Sequence, residues 1–220
     1  MEGRERVFTG RQVNGQALLA GAGAAILATL GCGSTGTRVM VPTEQYRPGQ
    51  RARQEGAVEY KGADWVVASA ANYRMADRPY DFTIDRVVLH VTQSTYPVAL
   101  KVFRDHGHRA AAHYVVRARD GHIAQMVGER DVVYHAGNRA WNERSKGIEH
   151  EGFVDQPDRW FTDTAYRASA RLGADICARY DIPVDRDHIV GHYEVPGTDH
   201  TDPGPHWDWD RYLRLVRDAG

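Results

Sequence analysis

Ile84-Asp85-Arg86-Val87-Val88-Leu89-His90-Val91-Thr92 is a β-branched, apolar run with one histidine near its end. Such a run reads as a strand buried on both faces. A strand of that kind needs layers above and below it. The flanking sequence supplies them. Residues 97–105 read as a short helix with Leu100 and Phe103 on one face. His113-Tyr114-Val115-Val116-Arg117 and Ile123-Ala124-Gln125-Met126-Val127 read as two strands, and Asp120-Gly121 between them is a hairpin turn. Residues 146–152 form a further short strand between glycines. Residues 162–180 are the strongest helix, with Thr162 as cap, Ala165, Ala168, Leu172 and Ile176 on one face, and Pro183 beyond the end. Ile189-Val190-Gly191-His192 is a strand end, and residues 209–216 close the chain as a helix. Strands interleaved with helices, plus one hairpin, give a single α/β domain with a central mixed β-sheet flanked by helices.

Three segments follow from composition. Residues 1–32 carry Arg4, Arg6 and Arg11 and then a mild Ala/Gly/Leu run, the order of an export segment. That run is short for a membrane-spanning helix, which takes about 20 apolar residues. Leu30-Gly31-Cys32-Gly33-Ser34 resembles a bacterial lipoprotein processing site with Cys32 as the lipidated residue. Thr29 departs from the aliphatic residue usual there, and a simple cleaved signal or an uncleaved anchor fits the same residues. Residues 33–62 lack apolar periodicity and read as a linker. Residues 63–220 are the folded domain, with the stretch up to Tyr80 wrapping over its core. The chain is expected outside the cytoplasmic membrane, touching membrane only through the N-terminal segment.

The bulk numbers exclude other classes. Lys+Arg is 28 and Asp+Glu is 29, so no net field draws the chain to nucleic acid. Two cysteines, Cys32 and Cys177, make no disulfide framework. Cys177 falls within a helical pattern and reads as a small buried hydrophobe. Nothing in the sequence calls for an oligomer, and a monomer is expected.

The chemistry concentrates in residues 191–205, where Pro and Gly hold an irregular loop that presents His192, Glu194, Asp199, His200 and Asp202. Apolar side chains are nearly absent, so packing does not account for the segment. Zinc takes imidazole nitrogen and often one carboxylate in hydrolytic sites, with a position open for water. His192 and Asp202 offer two ligands. His90 is the natural third, because a histidine in a buried strand is costly without a partner. Taken singly, each histidine also reads as an ordinary hydrogen-bonded residue. Glu149 and Glu151 lie two apart on a strand and share a face; either suits a general base, and either suits a clamp on a loop amide. His113 and His135 adjoin small residues that leave room for a substrate, with hydrogen-bonding histidines as the plainer reading. Trp141, Asn142, Trp160 and Trp207 fit either sugar-stacking walls or packing.

Five blocks in order carry a resemblance: Val88-Leu89-His90-Val91-Thr92, Ala112-His113-Tyr114-Val115-Val116 with Asp120-Gly121, Tyr134-His135-Ala136-Gly137-Asn138, Gly147-Ile148-Glu149-His150-Glu151-Gly152, and Gly191-His192 through His200-Thr201-Asp202-Pro203-Gly204. Together they resemble the type-2 N-acetylmuramoyl-L-alanine amidases, relatives of peptidoglycan recognition proteins and amidase-type phage lysozymes. The resemblance implies a groove over one face of the sheet and hydrolysis of the amide between N-acetylmuramic acid and L-alanine in peptidoglycan or muropeptides. It implies one Zn2+ per chain, held by His90, His192 and Asp202. It makes Glu149 the base and His200 the oxyanion stabiliser; His113, His135, Asn138 and Trp141 are the residues expected to bind substrate. Two positions depart from the common pattern: Asp202 stands where many members have Cys, and His200 where many have Lys. Phage relatives carry a Tyr where this chain has Ala112. The rival within the same fold is a peptidoglycan-binding module that does not cut; its mark would be a missing ligand, and all three positions are filled. A second rival is a cytoplasmic enzyme that recycles wall fragments, against which the N-terminal segment argues. A third is a zinc peptidase, against which the absence of a His-Glu-x-x-His helix argues.

Overall fold

A computed structural model describes residues 56–220. The expectations for residues 1–55, export segment and Cys32 included, lie outside the described residues. In chain order the elements are β1 (Ala63–Trp65), β2 (Tyr73–Arg74), β3 (Arg86–Val91), α1 (Tyr96–Phe103), β4 (Tyr114–Val116), β5 (Ile123–Gln125), β6 (Val132–Val133), α2 (Arg139–Arg144), β7 (Ser145–His150), α3 (Pro157–Trp160), α4 (Asp163–Tyr180), β8 (Ile189–Gly191) and α5 (Trp209–Ala219). A single 3-10 turn, His192–Glu194, follows β8.

Six strands form one mixed sheet in the order β1-β5-β4-β7-β3-β8, and β2 pairs with β6 alongside. Only the β4–β5 hairpin is antiparallel within the large sheet; β1–β5, β4–β7, β7–β3 and β3–β8 run parallel. Parallel strands are buried on both faces, which is why β3 reads as a near-continuous apolar run. Alternation then sorts the side chains. Val87 and Leu89 of β3, Tyr114 and Val116 of β4 and Ile148 of β7 pack with Ala165, Leu172 and Ile176 of α4 and with Leu213 and Val216 of α5. Val88, Val115 and Ala124 point the other way, into two smaller clusters that include α1 and the loop after β8. His90 shares the face of Val88, so it stands on the side without α4 and α5.

The elements form where local chemistry allows. Thr162 accepts a hydrogen bond from the Ala165 amide at 3.1 Å and starts α4; Asp181, in the left-handed region at φ 56°, ends it. Thr162→Ala should lower unfolding stability by about 1 kcal/mol, the usual cost of a lost N-cap, read as a shifted denaturant midpoint. Gly121, at φ 69°, makes the β4–β5 turn, and a Cβ there would stand 2.7 Å from the Ala168 Cβ. The hairpin therefore packs against α4 only because position 121 is glycine. Cys177 is buried in the same layer, and burial pushes its thiol up to about 12.

Packing begins ahead of residue 63. Glu59 accepts from the Glu129 amide at 3.0 Å and bonds the Gln125 side chain, while Val58 and Tyr60 rest on the core. Residues 58–60 thus pack with the domain although they fall within the expected linker.

Candidate active site

Three adjacent strands, β8, β3 and β7, bring the polar residues together. His90 lies directly across from Glu149 in the β3–β7 register. His192 follows the last residue of β8, which pairs with Leu89. The 191–205 loop then folds Asp202 back over the end of β3, where the Val91 amide donates to its Oδ2 at 3.2 Å. His90, His192 and Asp202, all buried, place one donor atom each within 4.8 Å of the others. The Nδ1 atoms of His90 and His192 are 3.1 Å apart, Asp202 Oδ1 is 3.3 Å from His192 Nδ1, and Asp202 Oδ2 is 3.4 Å from His90 Nδ1. Ligands about 2.0–2.1 Å from a tetrahedral zinc stand about 3.3 Å from one another. The donor set, two imidazoles and a carboxylate, and its spacing both fit zinc.

Electrostatics point the same way. Burial works against charge on Asp202, yet the imidazoles of His192 and His90 beside it hold its carboxyl well below the usual range. Burial pushes His90 down, favouring the neutral ring that a metal needs. Glu149 is the exception to this pairing. Its Oε2 is buried and has no hydrogen-bond partner. Burial, and then the Asp202 charge, raise its carboxyl well above the usual range. A buried carboxylate oxygen left unpaired is costly, and at the rim of a metal site it marks a group awaiting a proton partner.

Glu151 has a different job. It accepts from the Tyr96 amide and the Ala118 amide, both at 2.8 Å, and so clamps the start of α1 to the β4–β5 hairpin. Of the two carboxylates on one strand face, the clamp is Glu151 and the unpaired group is Glu149. His150, between them, faces the other layer and bonds Ser169 of α4 at 2.7 Å.

The other expected site residues are spread around this centre. His200 stacks on His192 at 4.0 Å between ring centroids and lies 3.4 Å from Asp202. With Gln93, Asp199, Thr201 and Asp202 it lines an open cleft of about 310 Å³. His135 lies behind His90, its Nδ1 2.9 Å from His90 Nε2. His113 lies deeper and is fully buried; the Gly147 amide donates to its Nδ1, and Arg78 lies 2.6 Å from its Nε2. That leaves His113 no face for a substrate, and it packs beneath the site. Asn138 caps α2, accepting from the Trp141 amide and donating to the Pro196 carbonyl. Trp141 packs on Val88, Ala136, Val190 and Val195 under the Arg86 guanidinium. Trp160 and Trp207 are core residues, Trp207 stacked on Tyr166 at 4.4 Å.

Sequence reasoning missed two residues that frame the site, Arg78 and Ser145, and the role of a third, Asn142. Arg78 is fully buried and donates to the carbonyls of Asn142, Glu143, Ser145, Glu129 and Asp131. Asn142 accepts from the amides of His135 and Ala136. Ser145 touches His135 and the Trp141 carbonyl. Each acts through a partner distant in sequence or through backbone, which residue type and spacing do not reveal.

Fold and donor set define an α/β domain with a hydrolase-type candidate metal site. A family model described as N-acetylmuramoyl-L-alanine amidase matches residues 80–205. N-acetylmuramoyl-L-alanine amidase A of Achromobacter lyticus is 31% identical over 181 residues, 74% of this chain and 98% of that protein. The 1,6-anhydro-N-acetylmuramyl-L-alanine amidase AmpD of Haemophilus influenzae is 36% identical over 50% of this chain and 60% of its own length. A crystal structure of a selenomethionine AmpD derivative superposes with a TM-score of 0.60 at 28% identity, over 76% of this chain and 99% of that one. The complex of Escherichia coli AmiD with anhydro-N-acetylmuramic acid-L-Ala-D-γ-Glu-L-Lys matches with a TM-score of 0.52 at 26% identity, over 60% of this chain and 57% of that one. The chain belongs to the N-acetylmuramoyl-L-alanine amidase family.

Proposed function

We propose that the chain is a zinc-dependent, exported enzyme that hydrolyses the amide between the lactyl group of N-acetylmuramic acid and L-alanine in peptidoglycan. The observation that carries this reading is the convergence of His90, His192 and Asp202 at zinc spacing beside the unpaired Glu149 oxygen. The family membership and the substrate in the AmiD complex support the choice of bond. The same observation favours catalysis over mere binding, since a recognition module has no use for a buried carboxylate without a partner.

His90, His192 and Asp202 would hold one zinc, which would supply a Lewis acid for the amide carbonyl and lower the pKa of the attacking water. Glu149 takes a proton from the attacking water and delivers it to the alanine nitrogen as the C–N bond breaks. His200, at the mouth of the cleft, donates a hydrogen bond to the developing oxyanion. The stem peptide leaves through the open, polar cleft beside Gln93 and Asp199. The products are the glycan and a free peptide that begins with L-alanine. The test is digestion of purified peptidoglycan by the full chain. New N-terminal alanine without new reducing sugar ends is expected; new reducing ends, or cleavage within the peptide, would contradict the reading.

Residues 1–32 are proposed to export the domain, with Cys32 as a lipid attachment point and the following segment as tether, the protein acting as a monomer at the cell envelope. Among the described residues no helix is long and apolar enough to cross a membrane. Fractionation of the native cell decides this: full-length protein confined to the cytoplasm would overturn the export proposal.

A further inference from the structure

Behind the candidate metal site runs a chain of hydrogen bonds with a fixed direction. It ends on a backbone carbonyl. Ser145 Oγ lies 2.5 Å from the Trp141 carbonyl oxygen, which can only accept, so the hydroxyl must donate there. Ser145 Oγ is then an acceptor towards its other neighbour, His135 Nε2, at 3.1 Å. A neutral imidazole with its proton on Nε2 has a bare Nδ1. His135 Nδ1 is 2.9 Å from His90 Nε2, and it accepts only if His90 carries its proton on Nε2. His90 Nδ1 is then a free lone pair, and it is the atom that faces His192 and Asp202.

We propose that His135 and Ser145 are positioning residues that set the tautomer of His90, so that its Nδ1 lone pair is presented to the metal. The inference rests on the zinc reading above. Reversing the chain would leave Ser145 and the Trp141 carbonyl as two acceptors in contact, and would put a proton on the His90 nitrogen that has to bind the ion. His135 therefore acts behind the ligand and not on the substrate.

The surroundings hold the relay rigid. The Asn142 side chain receives the His135 and Ala136 amides at 3.0 and 2.8 Å. Arg78 donates to the Ser145 carbonyl at 2.9 Å. The His135 ring lies so close to β7 that a Cβ at Gly147 would be 2.8 Å from its Cγ and Nδ1. Glycine inside a strand marks such a close approach. Alternation puts Ser145, Gly147 and Glu149 on one face of β7. That face thus ends the relay, makes room for its ring and carries the proposed base.

The test uses the full chain with His135→Leu, His135→Asn and Ser145→Ala. Zinc affinity is measured by competition with a coloured chelator, and the His90 tautomer by ring 15N shifts of the metal-free protein. Wild type should show His90 protonated on Nε2. His135→Leu should weaken zinc binding about 10- to 100-fold, the usual effect of losing a residue that orients a ligand. Asn places an acceptor near the former Nδ1 position, so His135→Asn should recover most of that loss. Ser145→Ala removes the end of the chain and should leave His90 as a mixture of tautomers. A wild-type His90 protonated on Nδ1, or wild-type zinc affinity in His135→Leu, would overturn the proposal. If His135→Leu does not fold, unchanged His90 tautomer and affinity in Ser145→Ala would overturn it equally. Wild-type protein that bound no zinc would defeat the metal reading itself, whereas the tautomer of the metal-free chain reports on the relay alone.

Discussion

His90→Ala should abolish zinc binding and amidase activity together while leaving a folded domain. His90 sits at the end of β3 on the site face, and its ring meets His192, Asp202 and His135. Removing it deletes one of three proposed ligands and leaves His192 and Asp202 as a two-residue site, too few for a catalytic zinc. The apolar residues of β3 that face α4, Val87 and Leu89, are untouched, so the fold should survive. The measurements are metal content of the purified variant, far-UV circular dichroism and release of N-terminal alanine from peptidoglycan. A folded His90→Ala protein with near-stoichiometric zinc would break the ligand assignment.

Glu149→Gln should fold, bind zinc and lose activity by about 10²- to 10⁴-fold, the usual worth of a positioned base. Glutamine keeps the shape but cannot accept the proton. Glu151→Gln should behave in the opposite way. It replaces a carboxylate that receives two backbone amides, so one amide loses its acceptor, at a cost of about 1–3 kcal/mol in stability, while turnover per folded molecule stays near wild type. Near-normal activity in Glu149→Gln with a folded but inactive Glu151→Gln would show that the wrong carboxylate was chosen. Glu149→Gln also differs from wild type in its pH dependence. Burial raises the Glu149 carboxyl well above its ordinary value. A carboxyl raised on folding contributes stability that is present below the unfolded value, near 4.5, and is lost as pH rises through the folded value. Glu149→Gln removes that loss. In chelator, the metal-free variant should therefore gain stability over wild type as pH rises from acid to neutral, read from thermal unfolding. Equal pH dependence of Glu149→Gln and wild type would show that the surroundings do not raise the Glu149 carboxyl. Exchanging stability for a reactive buried group is a common pattern at catalytic sites.

Much of the fold could be read from local pattern. The β3 run, the hairpin at Asp120-Gly121 and the capped helix from Thr162 stand where the residues put them, within a residue or two. What escaped was short or long-range. The helix Arg139–Arg144 has six residues, too few to show a period, and its cap Asn138 was read as a substrate contact. Strand β1 has three residues and pairs with β5 about sixty residues away, and β2 pairs with β6 over two residues; nothing in a local window announces such contacts. At the site, the three grouped donors were legible because histidine in a buried strand and acids on a Pro/Gly-rich loop lack a packing reason. Spacing alone does not separate Glu149 from Glu151, since it puts both on one face; the resemblance points to Glu149, and the structure adds the partners, two amides for Glu151 and none for Glu149 Oε2. His135 shows the same limit: its small neighbours Ala136 and Gly137 suggest room for a substrate, whereas its ring packs against Gly147 of β7 and lies 2.9 Å from His90 Nε2.

Metal dependence is the most direct test of the centre formed by His90, His192, Asp202 and Glu149. The full chain is stripped of metal with a chelator, dialysed and titrated with zinc, and N-terminal alanine released from purified peptidoglycan is followed at each step. The expected result is no release from the stripped protein and full recovery at one zinc per chain. Undiminished release from protein proven free of metal, or recovery that requires more than one zinc, would contradict it.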